Sequence, residues 1–250
     1  MRVLVACEFS GVIRDAFAER GHHAWSCDLE PSERGGLHYR GDVRDLLDGF
    51  EPVQFEADCD PDGDGWCATR DMDPNDCHCL GPTQDGIQYT ERNGVLMGRP
   101  TDRPHWDLMI AHPPCTYLAV SGLHWNKRRP GREAMTEDAL AFVRILMDAP
   151  TPRIAVENPI GCISSRIRKP DDITQPWEFG DDASKATCWW LKGLPPLIRV
   201  GTLAGGRKAR RANQTPSGQN KLGPSPTRAA ERARTYPGIA AAMAEQWGSL

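Results

Sequence analysis

The chain has 250 residues and a formal net charge of -4, long enough to bury a substantial single core. No apolar stretch approaches the roughly eighteen residues of a membrane helix, and Met1-Arg2-Val3-Leu4-Val5 enters a strand at once, which predicts a soluble, cytoplasmic protein with no membrane partner. Nine cysteines without a secretory signal are expected to be thiols or metal ligands rather than disulfides.

Residues Arg2 to Cys7 form a β-branched, apolar run. A turn, Glu8-Phe9-Ser10-Gly11, leads to an amphipathic segment from Val12 to Arg20, with Val12, Ile13, Ala16 and Phe17 on one helical face and Gly21 at its end. Strand, glycine turn and helix open a nucleotide-binding sheet, in which amides at the helix N-terminus face the ligand. His23 to Asp28 is a second strand, and Asp28 is either a plain loop acid or, standing about twenty residues past the turn, an acceptor for ribose hydroxyls. Asp42, ahead of Val43-Arg44-Asp45-Leu46-Leu47, is placed to start a helix as its N-cap.

Residues 53–105 break this pattern. Asp, Gly and Pro are dense, acids outnumber arginines, and Cys59, Cys67, Cys77, His78 and Cys79 cluster. Three readings stand: a segment closed on structural zinc by those five residues, a calcium loop around Asp58, Asp60, Asp62 and Asp64, and a metal-free acidic loop. The expected organisation is one domain over residues 1–250, with 53–105 inserted in it.

From Trp106 the run Asp107-Leu108-Met109-Ile110-Ala111 reads as a buried strand, stopped at Pro113-Pro114. Two prolines fix φ and remove two donors, so Cys115 is predicted on a rigid loop past a strand's C-terminal end, where open α/β sheets keep their chemistry. Gly131 to Asp148 is expected to be a helix, with Met135, Ala139, Leu140, Phe142, Val143, Leu146 and Met147 facing the sheet. Arg153 to Val156 returns as a strand and ends in Glu157-Asn158-Pro159. Gly161 to Pro176 reads as irregular and basic, with Arg166, Arg168 and Lys169. Trp189 and Trp190, in a strand after Phe179-Gly180, fit either a stacking platform or a core. The basic segment 199–234 suits a phosphate backbone or a solvated linker, and a helix closes the chain.

Phe9-Ser10-Gly11, Pro113-Pro114-Cys115 and Glu157-Asn158-Pro159, in this order, resemble the C5-cytosine DNA methyltransferase family, here in a short, phage-type, stand-alone form. The resemblance implies a Rossmann-like sheet that binds S-adenosylmethionine, with helices on both faces. It also implies DNA as partner, with no obligatory protein partner. It makes Cys115 the nucleophile that adds to cytosine C6 and Glu157 the group that serves N3, on a base flipped out of the duplex or presented single-stranded. A raised Glu157 pKa is expected for that task. Phe9, Ser10, Gly11, Asp28, Asp42 and Pro113 would hold the cofactor, with Asp42 at the adenine amino group. Pro114 and Asn158 would meet the substrate. The family's Gln-x-Arg-x-Arg is absent. Lys185 and Thr187 occupy its neighbourhood, and Arg166 or Arg168 could replace its arginines. The interval from Gly193 to about Gln214 is too short for the family's target-recognition region. That shortness favours a free cytidine nucleotide as acceptor, and the altered motifs favour a non-catalytic nucleic-acid-binding protein, so both remain as alternatives.

Overall fold

The structure, a computed structural model, describes residues 1–53, 86–225 and 227–250. They divide into two compact units, Met1–Val43 with Trp106–Leu250, and Arg44–His105.

In the first unit, β1 (Arg2–Ala6), β2 (His23–Asp28), β3 (His38–Arg40), β7 (Leu108–Ala111), β8 (Arg153–Pro159), β9 (Asp172–Thr174) and β10 (Thr187–Lys192) make a seven-stranded sheet in the order β3-β2-β1-β7-β8-β10-β9. The pairs β1·β2, β1·β7, β2·β3 and β7·β8 are parallel, and β10 runs antiparallel to β8 and β9. This is the expected Rossmann-like α/β sheet, mostly parallel with one reversed strand. Every residue of β1 and β7 is buried, as a parallel sheet covered on both faces requires.

Val3, Val5, Leu108, Ile110, Ala155 and Trp189 share one core with α1 (Val12–Ala18) and α6 (Pro237–Gln246). The alanines of α6 let it approach α1 closely, and Trp247 just beyond it stacks edge-on against Trp189 at 6.1 Å. Alternate residues Leu4, Met109, Ile154 and Val156 are equally buried and turn to the opposite face, on which α3 (Arg132–Met147) packs against β8.

Several expectations are corrected here. The buried stripe of α3 is Thr136, Leu140, Val143 and Leu146, while Met135 is 49% exposed. Residues 161–176 hold α4 (Ile163–Arg166) and β9. Trp189 and Trp190 are both core residues, with indole N–H groups bonded to Thr174 Oγ1 and the Arg168 carbonyl, each at 2.8 Å. A charge is also buried in α1. Arg14 is 2% exposed and donates to Asp15 Oδ1, Ser26 Oγ and Ser32 Oγ, the network a buried guanidinium requires. Of the basic segment, Arg199 pairs with Asp172 and Arg234 with Glu33, and Arg211 is buried over the Trp177 ring. Short helix α5 (Arg228–Ala233) lies within it.

The second unit runs from Arg44 to His105. Its described part is a three-stranded antiparallel sheet of β4 (Glu51–Pro52), β6 (Val95–Pro100) and β5 (Ile87–Arg92). The β5–β6 hairpin turns on Asn93 (φ 52) and Gly94 (φ 77), the two positive angles of a tight hairpin loop. Phe50 is covered by the guanidinium groups of Arg92 and Arg99, 4.7 and 4.5 Å from its ring centre. The candidate zinc ligands Cys59, Cys67, Cys77, His78 and Cys79, and the calcium-loop acids, lie outside the described residues. Among the described residues no group of three or more His, Cys, Asp or Glu could hold a metal ion, and no helix is long and apolar enough to cross a membrane.

Candidate active site

The parallel ladder between β7 and β8 ends at Ala111↔Val156, because Pro113 and Pro114 offer no N–H to continue it. Strand β8 runs on against β10 alone, with Trp189 opposite Glu157 and Cys188 opposite Asn158. The two loops that leave β7 and β8 are then tied together. Asn158, fully buried, donates Nδ2–H to the Pro113 carbonyl at 2.8 Å. Cys162 N–H bonds to Leu118 O at 2.8 Å, and Ala119 bridges Gly161. The carbonyl of Cys115 accepts from Leu118 and Ala119, which makes the cysteine the first residue of a tight turn, with Pro114, Cys115 and Thr116 exposed.

Glu157 is buried beneath this loop, 9% exposed. Its Oε2 lies 3.3 Å from His112 Nδ1. Burial pushes the Glu157 carboxyl up, but the Lys185 ammonium, together with the hydrogen bond and charge of His112, outweighs it and holds the group below its ordinary value. This corrects the expectation of a raised pKa. The Cys115 thiol moves the opposite way. Desolvation and the Glu157 charge raise it, against the pull of Arg232 and Lys185. In the free protein the sulfur therefore keeps its proton and the carboxyl does not. The structure thus brings Cys115, Glu157 and Lys185 into one electrostatic group. It adds His112, which the sequence reading passed over although it stands next to Pro113.

The other expected substrate contacts are placed differently. Thr187 is buried, and its hydroxyl donates to the Lys185 carbonyl. Asn158 braces the loop from within. Arg166 is on the surface of α4, paired with Glu137 and Glu133. Arg168 is held by Asp171 at 2.7 Å and by the Leu191 carbonyl at 2.9 Å. Leu191 pairs with Ala155, so Arg168 sits toward the other end of β10 from Thr187. Neither arginine is brought to Glu157. A cleft of about 310 Å³ between the back of Pro113-Pro114 and α3, lined also by Tyr117, Met135, Asp138, Ala139 and Phe142, includes neither Cys115 nor Glu157.

The expected cofactor residues gather at the C-terminal edge of β1 to β3. Cys7 has φ 58 and is pushed up to about 12 by burial, then by the charges of Asp28 and Asp42, so both acids converge on the end of β1. Phe9 is half-buried. Gly11 has φ 71, and a Cβ there would lie 2.5 Å from the Arg14 guanidinium, which is why no other residue fits the turn. Ser10 points inward, its hydroxyl bonded to Glu8 Oε1 at 3.1 Å, and Pro113 is buried with its carbonyl held by Asn158. Glu8 also takes the Ile13 N–H at 2.9 Å, while its Oε2 is buried without a hydrogen-bond partner among the described residues. Three carboxylates around a glycine turn fit a ligand that offers an ammonium group, two ribose hydroxyls and an aromatic amine, the donor set of S-adenosylmethionine.

No protein-family model and no curated protein matches the sequence. Among solved structures 44 chains match. One is an E. coli prophage protein given the provisional description of a DNA modification methyltransferase, 13% identical with a TM-score of 0.35 over 85% of this chain. The match spans 57% of that structure's length.

Proposed function

We propose that the chain transfers a methyl group from S-adenosylmethionine to C5 of cytosine in DNA, through a covalent adduct between Cys115 and C6. The observation that carries this reading is an exposed cysteine whose thiol feels the charge of a buried carboxylate, on a loop strapped to the strand end that carries the carboxylate. Cytosine C5 becomes nucleophilic only when the ring's aromaticity is broken, by sulfur addition at C6 with a proton supplied at N3.

The Cys115 thiol, raised, and the Glu157 carboxyl, lowered, support one path for that proton. It resides on sulfur in the free protein, passes to the Glu157 carboxylate as the thiolate forms, and is handed on to N3 as the C6–S bond closes; once C5 carries the methyl, loss of the C5 proton to solvent breaks the C6–S bond, expels the Cys115 thiolate, and lets N3 give its proton back. Neutralising Glu157 also removes the charge that held the thiol protonated, so the two transfers assist one another. Lys185 keeps the carboxylate ionised until then. Phe9, Gly11, Asp28 and Asp42 would hold the cofactor, which supplies an electrophilic methyl when bound. The target base must leave the stack to reach Cys115.

Purified protein with labelled cofactor and DNA is expected to yield 5-methylcytosine, and Cys115→Ser to abolish it. Labelling that survives the substitution refutes the mechanism. A second reading, the same chemistry on a free cytidine nucleotide, is favoured by the segment from Gly193 to Gln214, in which a 3-10 turn at Gly206–Lys208 is the one regular element among the described residues. Comparing dCMP with DNA as acceptor separates the two.

A further inference from the structure

The His112 side chain is 9% exposed and its position is fixed from three directions. Its backbone N–H bonds to the Ala6 carbonyl at 2.9 Å, its ring stands edge-on to Trp189 at 6.4 Å and 82°, and Nδ1 meets Glu157 Oε2. A carboxylate can only accept, so the proton of this contact belongs on Nδ1, while Nε2 is buried without a hydrogen-bond partner among the described residues. A packing histidine would be expected to satisfy both nitrogens.

We propose that His112 is the positioning residue of Glu157: its Nδ1–H pins Oε2, so that Oε1, which accepts no hydrogen bond among the described residues, is the oxygen turned to the pyrimidine. A carboxylate rotates readily about its last torsion. Without a donor on Oε2, the attraction of Lys185 alone would set the orientation. The other groups that face the carboxylate are the Cys115 and Cys188 thiols, and Trp189, paired with Glu157 across β10, keeps its N–H on Thr174. The thiols are weak donors and the Trp189 N–H is taken, so His112 gives the carboxylate its one side-chain hydrogen bond among the described residues. The inference rests on the cytosine C5 reading and deepens it.

The test compares His112→Leu, which removes the donor, with His112→Asn, whose amide N–H can stand near the place of Nδ1–H, using the full chain, labelled S-adenosylmethionine and cytosine-containing DNA. Loss of orientation at a reacting group is worth about 100-fold, so the Leu variant should lose about that much kcat with KM little changed, and the Asn variant should recover most of it. A Leu variant that keeps its kcat, or an Asn variant that falls as far as Leu, overturns the proposal. A readout free of activity guards against misfolded variants. The wild type should show a low-field, exchange-protected His112 Nδ1–H proton resonance, retained in Cys115→Ser and lost in Glu157→Ala; its absence from the wild type also overturns the proposal. A wild type that shows the resonance but methylates neither DNA nor dCMP overturns the function instead, and with it the role assigned to His112.

Discussion

The Asn158 amide donates to the Pro113 carbonyl inside the protein, 45 positions away along the chain, and so joins the loop that carries Cys115 to the strand that carries Glu157. Replacing Asn158 with Leu leaves that carbonyl buried and unpartnered, a penalty of about 1–3 kcal/mol. Urea unfolding should show this loss, and methyl transfer should fall further than stability does, because the nucleophile's loop is released. An unfolding midpoint equal to that of the wild type would show the bond to be incidental.

The depressed pKa of Glu157 carries a sign in stability. Its charge stabilises the fold above the ordinary carboxylate range, about 4.3, and that contribution is lost as pH falls through the lower folded value. Lys185→Met removes the leading cause of the depression and should move the acid loss of stability to higher pH. Unfolding followed from about pH 6 down to about pH 2 makes the comparison. Superimposable acid limbs would mean that Lys185 does not act on the carboxyl.

Cys115 should alkylate slowly with iodoacetamide at neutral pH despite its exposure, since only the thiolate reacts and its pKa is raised. The rate should climb only above the ordinary thiol range. Glu157→Gln removes the charge that holds the proton on sulfur and should speed the reaction at neutral pH, while Lys185→Met should slow it. Peptide mass spectrometry assigns the modified cysteine. A fast neutral reaction in the wild type, or no acceleration in the Gln variant, contradicts the proton assignment made above.

The strand-end placement of Cys115 and Glu157 could be read from the sequence because each follows an apolar run and is punctuated by proline, and that local signal survives in the fold. His112 could not, since a histidine ahead of two prolines has no partner until the parallel pairing of β7 with β8 brings position 157 alongside. Arg166 and Arg168 show the reverse. They lie close in sequence to the right motif, yet their guanidinium groups are taken by Glu137 and Asp171, a matter of which acids the surface offers nearby. The α3 stripe slipped because Thr136 can be buried once its hydroxyl bonds to the Tyr117 carbonyl, which hydrophobic periodicity does not register. Asn93-Gly94 was a readable hairpin signal, hidden by the polar composition around it.

Gly161 offers the sharpest test of the strap between the two loops. A Cβ built there would lie 2.0 Å from the Leu118 carbonyl oxygen and 3.1 Å from Ala119 Cα, so alanine can be fitted only by separating the backbones that the Ala119–Gly161 bridge and the Cys162 to Leu118 hydrogen bond hold together. Overpacking of this kind costs about 1–3 kcal/mol. Gly161→Ala should therefore lower the unfolding midpoint, and because the displaced turn begins at Cys115, kcat should fall by more than the lost stability explains. Gly223→Ala, with no atom within 4 Å of the added carbon, is the matched substitution expected to leave both unchanged. Equal behaviour of the two variants in thermal unfolding and single-turnover methylation would show that the loops are held by something other than this contact.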